Sequence, residues 1–143
     1  MCEIIGVISD THIGNKRCME EQIMEFYSWA RKVGARRVLH AGDVVDRTDY
    51  EMSENELSLF GGIETNYILG NHDPDNLPET DSFKKIGKYY AEASYGDVGI
   101  FIQHPFRDVF HAQKDLFEEH KTIIDIVGHT HKNFYMVKDN GKK

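Results

Sequence analysis

Seven residues of this chain could do metal chemistry: Asp10, His12, Asp43, Asn71, His104, His129 and His131. They offer carboxylate, amide and imidazole donors and no thiolate. That set suits Mn, Fe, Zn, Ni or Co rather than a cysteine-rich structural zinc. They sit in five short stretches, SDTH (9–12), HAGD (40–43), LGNHD (69–73), IQHP (102–105) and VGHTH (127–131). Seven donors are more than one reactive ion takes from protein. Two ions sharing one carboxylate fit them, at the roughly 3.5–4 Å spacing of two-metal sites.

Each stretch follows an apolar run, so the elements that would position these side chains are strands. EIIGVIS (3–9) is a continuous run rich in β-branched residues, as expected of a strand buried on both faces. The spacing of Ile23, Phe26, Tyr27, Ala30 and Val33 predicts a helix over 18–34, stopped by Gly34. ARRVLHAGD (35–43) returns to strand. Ser53 and Glu56 form a capping box for a short helix over 54–60, closed by Gly61 and Gly62. TNYILGNHD (65–73) is a third strand, and SFKKIG (82–87) reads as one or two helical turns. Residues 89–104 read as a hairpin turning near Gly96-Asp97. Residues 106–120 read as a helix, TIIDIVG (122–128) as a buried strand, and 133–143 as a strand entering a turn at Asn140-Gly141.

Strands that alternate with helices give an α/β fold with a mixed sheet covered by helices. In such folds the strand ends build the site, and residues far apart in sequence meet there. At 143 residues the chain is expected to be one domain, 1–143, able to bury roughly 70% of its unfolded surface. Hydrophobic residues make up 40% of it. The net charge of −7 disfavours broad, non-specific nucleic-acid binding, which needs Lys and Arg against phosphate. Cys2 and Cys18 have no framework spacing, and no apolar run reaches membrane-spanning length. The expected compartment is the cytoplasm.

Taken in order, SDTH, GD, GNHD, a lone His and GHTH resemble the calcineurin-like metallophosphoesterases. Any one of these motifs is weak, but five in order at five strand ends are specific. The resemblance implies a mixed β-sheet sandwich flanked by helices in four layers, αββα. It also implies that Asp10, His12 and His131 hold one divalent ion, and Asn71, His104 and His129 a second, with Asp43 bridging. Manganese is the expected metal, with nickel, iron, zinc or cobalt as alternatives. A metal-bridging hydroxide would attack phosphorus in line while Asn71 and the ions neutralise the phosphoryl oxygens. His72 would protonate the leaving oxygen, with Asp73 orienting its imidazole. GDVVDR (42–47) is similar to the protein-phosphatase branch, which makes Arg47 a candidate phosphate clamp, although Thr48 replaces the usual Gly.

The implied activity is hydrolysis of a small phosphate ester, a diester gaining most from His72. Two rivals stand beside it. SDTHIG and GNHD also resemble the double-strand-break repair nucleases of the superfamily. The retromer scaffold subunit shows the fold reused without catalysis, a use in which ligands are lost, whereas all seven are present here. Among the remaining histidines, His40 is expected to be packed or to donate a hydrogen bond to the site, and His111 and His120 to be solvated. Trp29, Phe26 and Tyr27 are expected in the core. Arg31, Lys32, Arg36 and Arg37 read as cations favoured at a helix C-terminus.

Overall fold

The computed structural model describes residues 3–105 and 118–131 and the backbone of 136–139. In chain order these are β1 (Ile5–Ile8), α1 (Glu20–Lys32), β2 (Arg37–His40), α2 (Glu54–Leu57) with a 3-10 turn at Ser58–Phe60, and β3 (Glu64–Leu69). There follow β4 (Phe83–Lys88), β5 (Tyr90–Tyr95), β6 (Val98–Gln103), β7 (Thr122–Val127) and β8 (Met136–Asp139). Most of the helix expected over 106–120, and the turn at Asn140-Gly141, lie outside the described residues.

β1 to β4 run parallel in sequence order, and β5 to β8 form a mixed set of antiparallel and parallel pairs. Hydrogen bonding between the two sets passes through a single residue pair, Lys88 with Tyr90. Between them Tyr89 adopts φ 65°, which lets the ladder bend there. The two halves then pack as a sandwich. Leu39 and Ile68 of the first half cluster with Ala91, Ile100 and Ile102 of the second. The opposite face of the first half, with Val38, Tyr67 and Leu69, is covered by Ile23, Tyr27 and Ala30 of α1 and by Phe60. The expected mixed sandwich flanked by helices is therefore present, and its helical layer over β1 to β3 is well defined.

α1 forms where the apolar spacing put it. Glu20 and Glu21 in its first turn and Arg31 and Lys32 in its last complement the helix dipole. Tyr27 donates or accepts at Thr65 Oγ1, 2.8 Å away, joining α1 to β3. Leaving either hydroxyl alone in this buried setting would cost about 1–3 kcal/mol. The rings of Phe60, Phe83 and Tyr67 stack in series, at 4.9 and 4.4 Å between centroids. Phe83→Ala would open that stack at a cost of about 3–5 kcal/mol. Ser53 and Glu56 make the capping box in both directions.

Four expectations need correction. EIIGVIS does form a strand, but β1 lies at the edge of the sheet with Ile4 39% and Val7 44% exposed, so it is not buried on both faces. SFKKIG is strand rather than helix, because β3 offers a parallel edge and Phe83 fills the aromatic stack. Its weak local preference is overridden by pairing. Trp29 is 53% exposed: with Tyr27 and Ala30 facing the sheet, a residue two positions after Tyr27 points away from it. His120 is buried rather than solvated. No helix among the described residues is long and apolar enough to cross a membrane.

Candidate metal centre

The loops leaving β1 and β2 stay hydrogen-bonded after their strands end. Asp10 N–H donates to the Gly42 carbonyl at 3.0 Å, His12 N–H to Asp43 at 3.1 Å and Ile13 N–H to Val44 at 2.9 Å. This zipper sets Asp10 and His12 beside Asp43. The other strand ends lock onto the same carboxylates. His72 N–H donates to Asp43 Oδ1 at 2.9 Å, and His129 N–H reaches both Asp10 oxygens at 3.1 and 3.2 Å. Two glycines make this approach possible. A Cβ at Gly70 would collide with Asp43, and one at Gly128 with the Ala41 carbonyl and the His104 ring. GN and GH are thus spacing requirements as much as chemistry.

Six non-glycine residues described here have positive φ, and five are Asp10, His12, Asp43, His129 and His131. Asp and His tolerate that region better than most, yet each instance costs on the order of 1 kcal/mol. The strain is held by the hydrogen-bonded loops, and it turns side chains that would continue a strand's alternation toward one point.

Two sets of donors result. In one, Asp10 Oδ1 lies 4.0 Å from His12 Nε2 and 3.5 Å from His131 Nε2. In the other, Asn71 Oδ1 lies 3.1 Å from both His104 Nε2 and His129 Nδ1. Asp43 Oδ2 stands between the sets, 3.1 Å from His104 Nε2 and 3.7 Å from His12 Nε2. Asp10, His12 and His131, and separately Asp43, His104 and His129, each bring donor atoms within 4.8 Å of one another.

The donor chemistry fits divalent cations. Both ring nitrogens of His12 are buried and lack a hydrogen-bond partner among the described residues. His104 Nδ1 lies 2.8 Å from the Ala41 carbonyl, which can only accept, so that nitrogen carries the proton. Its Nε2 lone pair then faces two oxygens, Asp43 Oδ2 and Asn71 Oδ1. Only a second proton or a metal ion satisfies all three.

Electrostatics agree. Burial, reinforced by His72, holds His12 below its ordinary value against the pull of Asp43 and Asp10, which keeps a ligating lone pair. Burial alone would lower His104 and raise Asp43. Their mutual hydrogen bond and charge reverse both, lifting His104 and depressing Asp43. His40 is fully buried, and that burial pushes it down to about 3. The Thr11 hydroxyl donates to the Val44 carbonyl at 2.9 Å, so it accepts from His40 Nε2 at 3.0 Å. His40 therefore braces the loop between Asp10 and His12, the supporting role expected for it.

His72 lies at the edge of this cluster, its ring 5.0 Å from that of His12. The expected Asp73 partner is not against it. Asp73 instead accepts Val45 N–H at 2.9 Å and Gly70 N–H at 2.8 Å, knitting two strand-end loops together. What orients the His72 imidazole is the Asp46 carbonyl, 2.6 Å from Nδ1. Asp46 also places its carboxylate 3.3 Å from His12 Nδ1 and accepts from Asn15 Nδ2 at 2.9 Å. The sequence reading missed Asp46 and Asn15; the signal available was a second acid three residues after Asp43 in the same loop. Arg47 is exposed, 3.3 Å from Asp49, and does not line the cavity beside the cluster. Its neighbour Asp46 takes the inward position, so Arg47 points to solvent. Arg17 lines the cavity instead.

Comparison with known proteins bears on this arrangement. Residues 4–142 match the family model described as the calcineurin-like phosphoesterase superfamily domain. The DNA polymerase II small subunit of Methanothermobacter thermautotrophicus is 28% identical over 131 residues. That match takes in 71% of this chain and only 27% of the relative, so the chain spans about a quarter of that protein's length. Among solved structures, the protein of unknown function AQ665 from Aquifex aeolicus superposes with TM-score 0.59 at 19% identity, over 92% of this chain and 81% of that one. Yfce, a phosphoesterase from E. coli, does so with TM-score 0.50 at 15% identity, over 76% and 62%. At these identities the two structures speak to the fold alone.

Proposed function

The chain belongs to the calcineurin-like phosphoesterase superfamily, and on that premise we propose that it hydrolyses phosphate esters, diesters in preference to monoesters, at a centre for two divalent cations. The observation that carries this reading is the convergence of seven donors from five strand ends into two sets that share Asp43. Asp10, His12 and His131 are the residues to hold one ion, and Asn71, His104 and His129 the other. Manganese is the metal we assign, with nickel, iron, zinc and cobalt sharing its preference for these donors. When bound, the ions neutralise phosphoryl charge and bring the pKa of water toward neutrality.

The chain's own residues do the rest. Asn71 turns its Oδ1 to His104 and His129, which leaves its Nδ2 to donate to a phosphoryl oxygen. His72 donates its Nδ1–H to the Asp46 backbone carbonyl, so the proton it passes to the leaving oxygen sits on Nε2. General acid catalysis of this kind is worth about 10²–10⁴-fold, most for a poor leaving group, which is why a diester gains more than an activated ester. Asp73 serves by fixing the loops rather than the imidazole. Because the two cysteines show no disulfide spacing, we assign the protein to the cytoplasm.

Metal content measured beside hydrolysis of bis-p-nitrophenyl and p-nitrophenyl phosphate with added manganese tests the reading. About two metals per chain with diester turnover supports it; a chain that retains no metal removes its basis.

A second reading, a metal-dependent nuclease, is favoured by the similarity to a DNA polymerase II small subunit. Nicking of supercoiled plasmid in manganese at a rate matching diester turnover would promote it over the small-substrate reading. A non-catalytic scaffold is the third and weakest reading, since all seven donors are retained.

A further inference from the structure

The cavity beside the cluster measures about 680 Å³, far more than a phosphoryl group fills and within the range that encloses a nucleotide-sized ligand. It is one-sided. Asp10, His12 and His131 line it, whereas Asn71, His104 and His129 do not. His72 lines it too, so on the reading above the leaving group departs into this space. Its far wall belongs to the loop after β1 and the first turn of α1. Ile8, Cys18, Met19 and Ile23 supply apolar lining there, and Arg17 and Gln22 supply polar lining. Burial pushes the Cys18 thiol up, so it adds no charge to that wall.

Arg17 is held in place by the loop that carries it. Asn15 N–H donates to the His12 carbonyl at 3.0 Å, Cys18 N–H to Asn15 at 2.9 Å, and Arg17 N–H to Asn15 Oδ1 at 2.9 Å. Among the described residues Arg17 is the one Lys or Arg that lines the cavity, and it has no ion-pair partner there. A guanidinium plane and an amide beside an apolar wall match a nucleobase, whose face stacks and whose edge reads a paired donor and acceptor.

We infer that the natural substrate is a small phosphodiester whose leaving group is a nucleoside, recognised by Arg17 and Gln22 against the wall of Ile8, Met19 and Ile23. This inference rests on the phosphoesterase reading above. In the reaction, water supplies the oxygen that bonds to phosphorus and the P–O bond to the nucleoside breaks. His72 returns a proton to the departing oxygen.

The test uses the full chain with manganese, adenylyl-adenosine as nucleoside diester and bis-p-nitrophenyl phosphate as a plain one. Arg17→Ala and Gln22→Leu are expected to lower kcat/KM for adenylyl-adenosine about tenfold or more while bis-p-nitrophenyl phosphate changes less than about threefold. Arg17→Lys keeps the charge without the plane and should recover little. Both side chains are exposed, so folding is not at stake. A parallel arm measures adenosine binding by saturation-transfer NMR, expected in the parent and lost in Arg17→Ala. Equal losses on both substrates, no loss on either, or a parent active on the plain diester alone without adenosine binding would each overturn the inference. A parent inert to both diesters overturns the phosphoesterase reading instead, and adenosine binding then decides the cavity by itself.

Discussion

His104 Nε2 lies 3.1 Å from Asp43 Oδ2, with its other nitrogen committed to the Ala41 carbonyl at 2.8 Å. The same Asp43 oxygen is 3.7 Å from His12 Nε2. One carboxylate atom therefore serves both donor sets. Asp43→Asn should strip the centre as a whole: elemental analysis is expected to find under one metal per chain. Diester turnover should fall by at least about 100-fold, a larger loss than removing supporting groups around a metal ordinarily causes. His104→Ala, by contrast, should spare the first ion.

His72→Ala separates proton delivery from metal binding. His72 comes within 4.8 Å of donor atoms of His12 and Asp46 but is not among the seven residues assigned to the ions, so metal content should stay at the parent level. Turnover of an alkyl diester should drop about 10²–10⁴-fold, and that of an aryl ester with a good leaving group far less. Metal loss matching the loss of activity would show that His72 holds the fold instead.

Asp73 is a structural acid. Its two oxygens accept buried N–H groups of Val45 and Gly70, one from each of two loops that feed the centre. Asp73→Ala orphans both, at about 1–3 kcal/mol each. Urea denaturation should show a stability loss of about 2–6 kcal/mol. A loss under about 0.5 kcal/mol would mean that water replaces the carboxylate, as at ordinary surface positions.

His40 gives the fold an acid-side dependence. Its folded value is about 3, below the ordinary 6.5. Between these limits the unfolded chain binds a proton that the folded one does not, so stability rises with pH there. The contribution is fully present above about pH 6.5 and is lost as pH falls toward 3, with a slope of about 1.4 kcal/mol per pH unit. His40→Gln should flatten the urea-measured stability profile in that window by about one proton; an unchanged slope would contradict a neutral buried imidazole.

Arg47 is 65% exposed and paired with Asp49, which is 81% exposed. Arg47→Ala should leave kcat/KM within about twofold and stability within about 1 kcal/mol, as for other surface ion pairs. A tenfold rise in KM would return Arg47 to the role of phosphate clamp.

The inventory of the candidate centre was legible in the sequence because it is written as residue types at strand ends. Apolar runs announce the strands, and the chain must leave the sheet where they stop. Asp, Asn and His tolerate the left-handed backbone required there. The α1 face, the capping box and the Gly96 turn were legible for similar local reasons. The errors have a common origin in contacts that no local pattern encodes. SFKKIG became strand because β3 offered an edge. Trp29 faced outward because Tyr27 and Ala30 claimed the sheet. The Asp46 backbone carbonyl took the part expected of the Asp73 carboxylate for the same reason. Which of two nearby residues meets an imidazole depends on how two loops cross, and that is set by hydrogen bonds spanning 26 to 29 positions of sequence. Sequence by itself determined which chemistry the chain carries, since donor identity is a property of single residues. Tertiary structure decided who faces whom, since distance and orientation exist only once the strand ends are brought together.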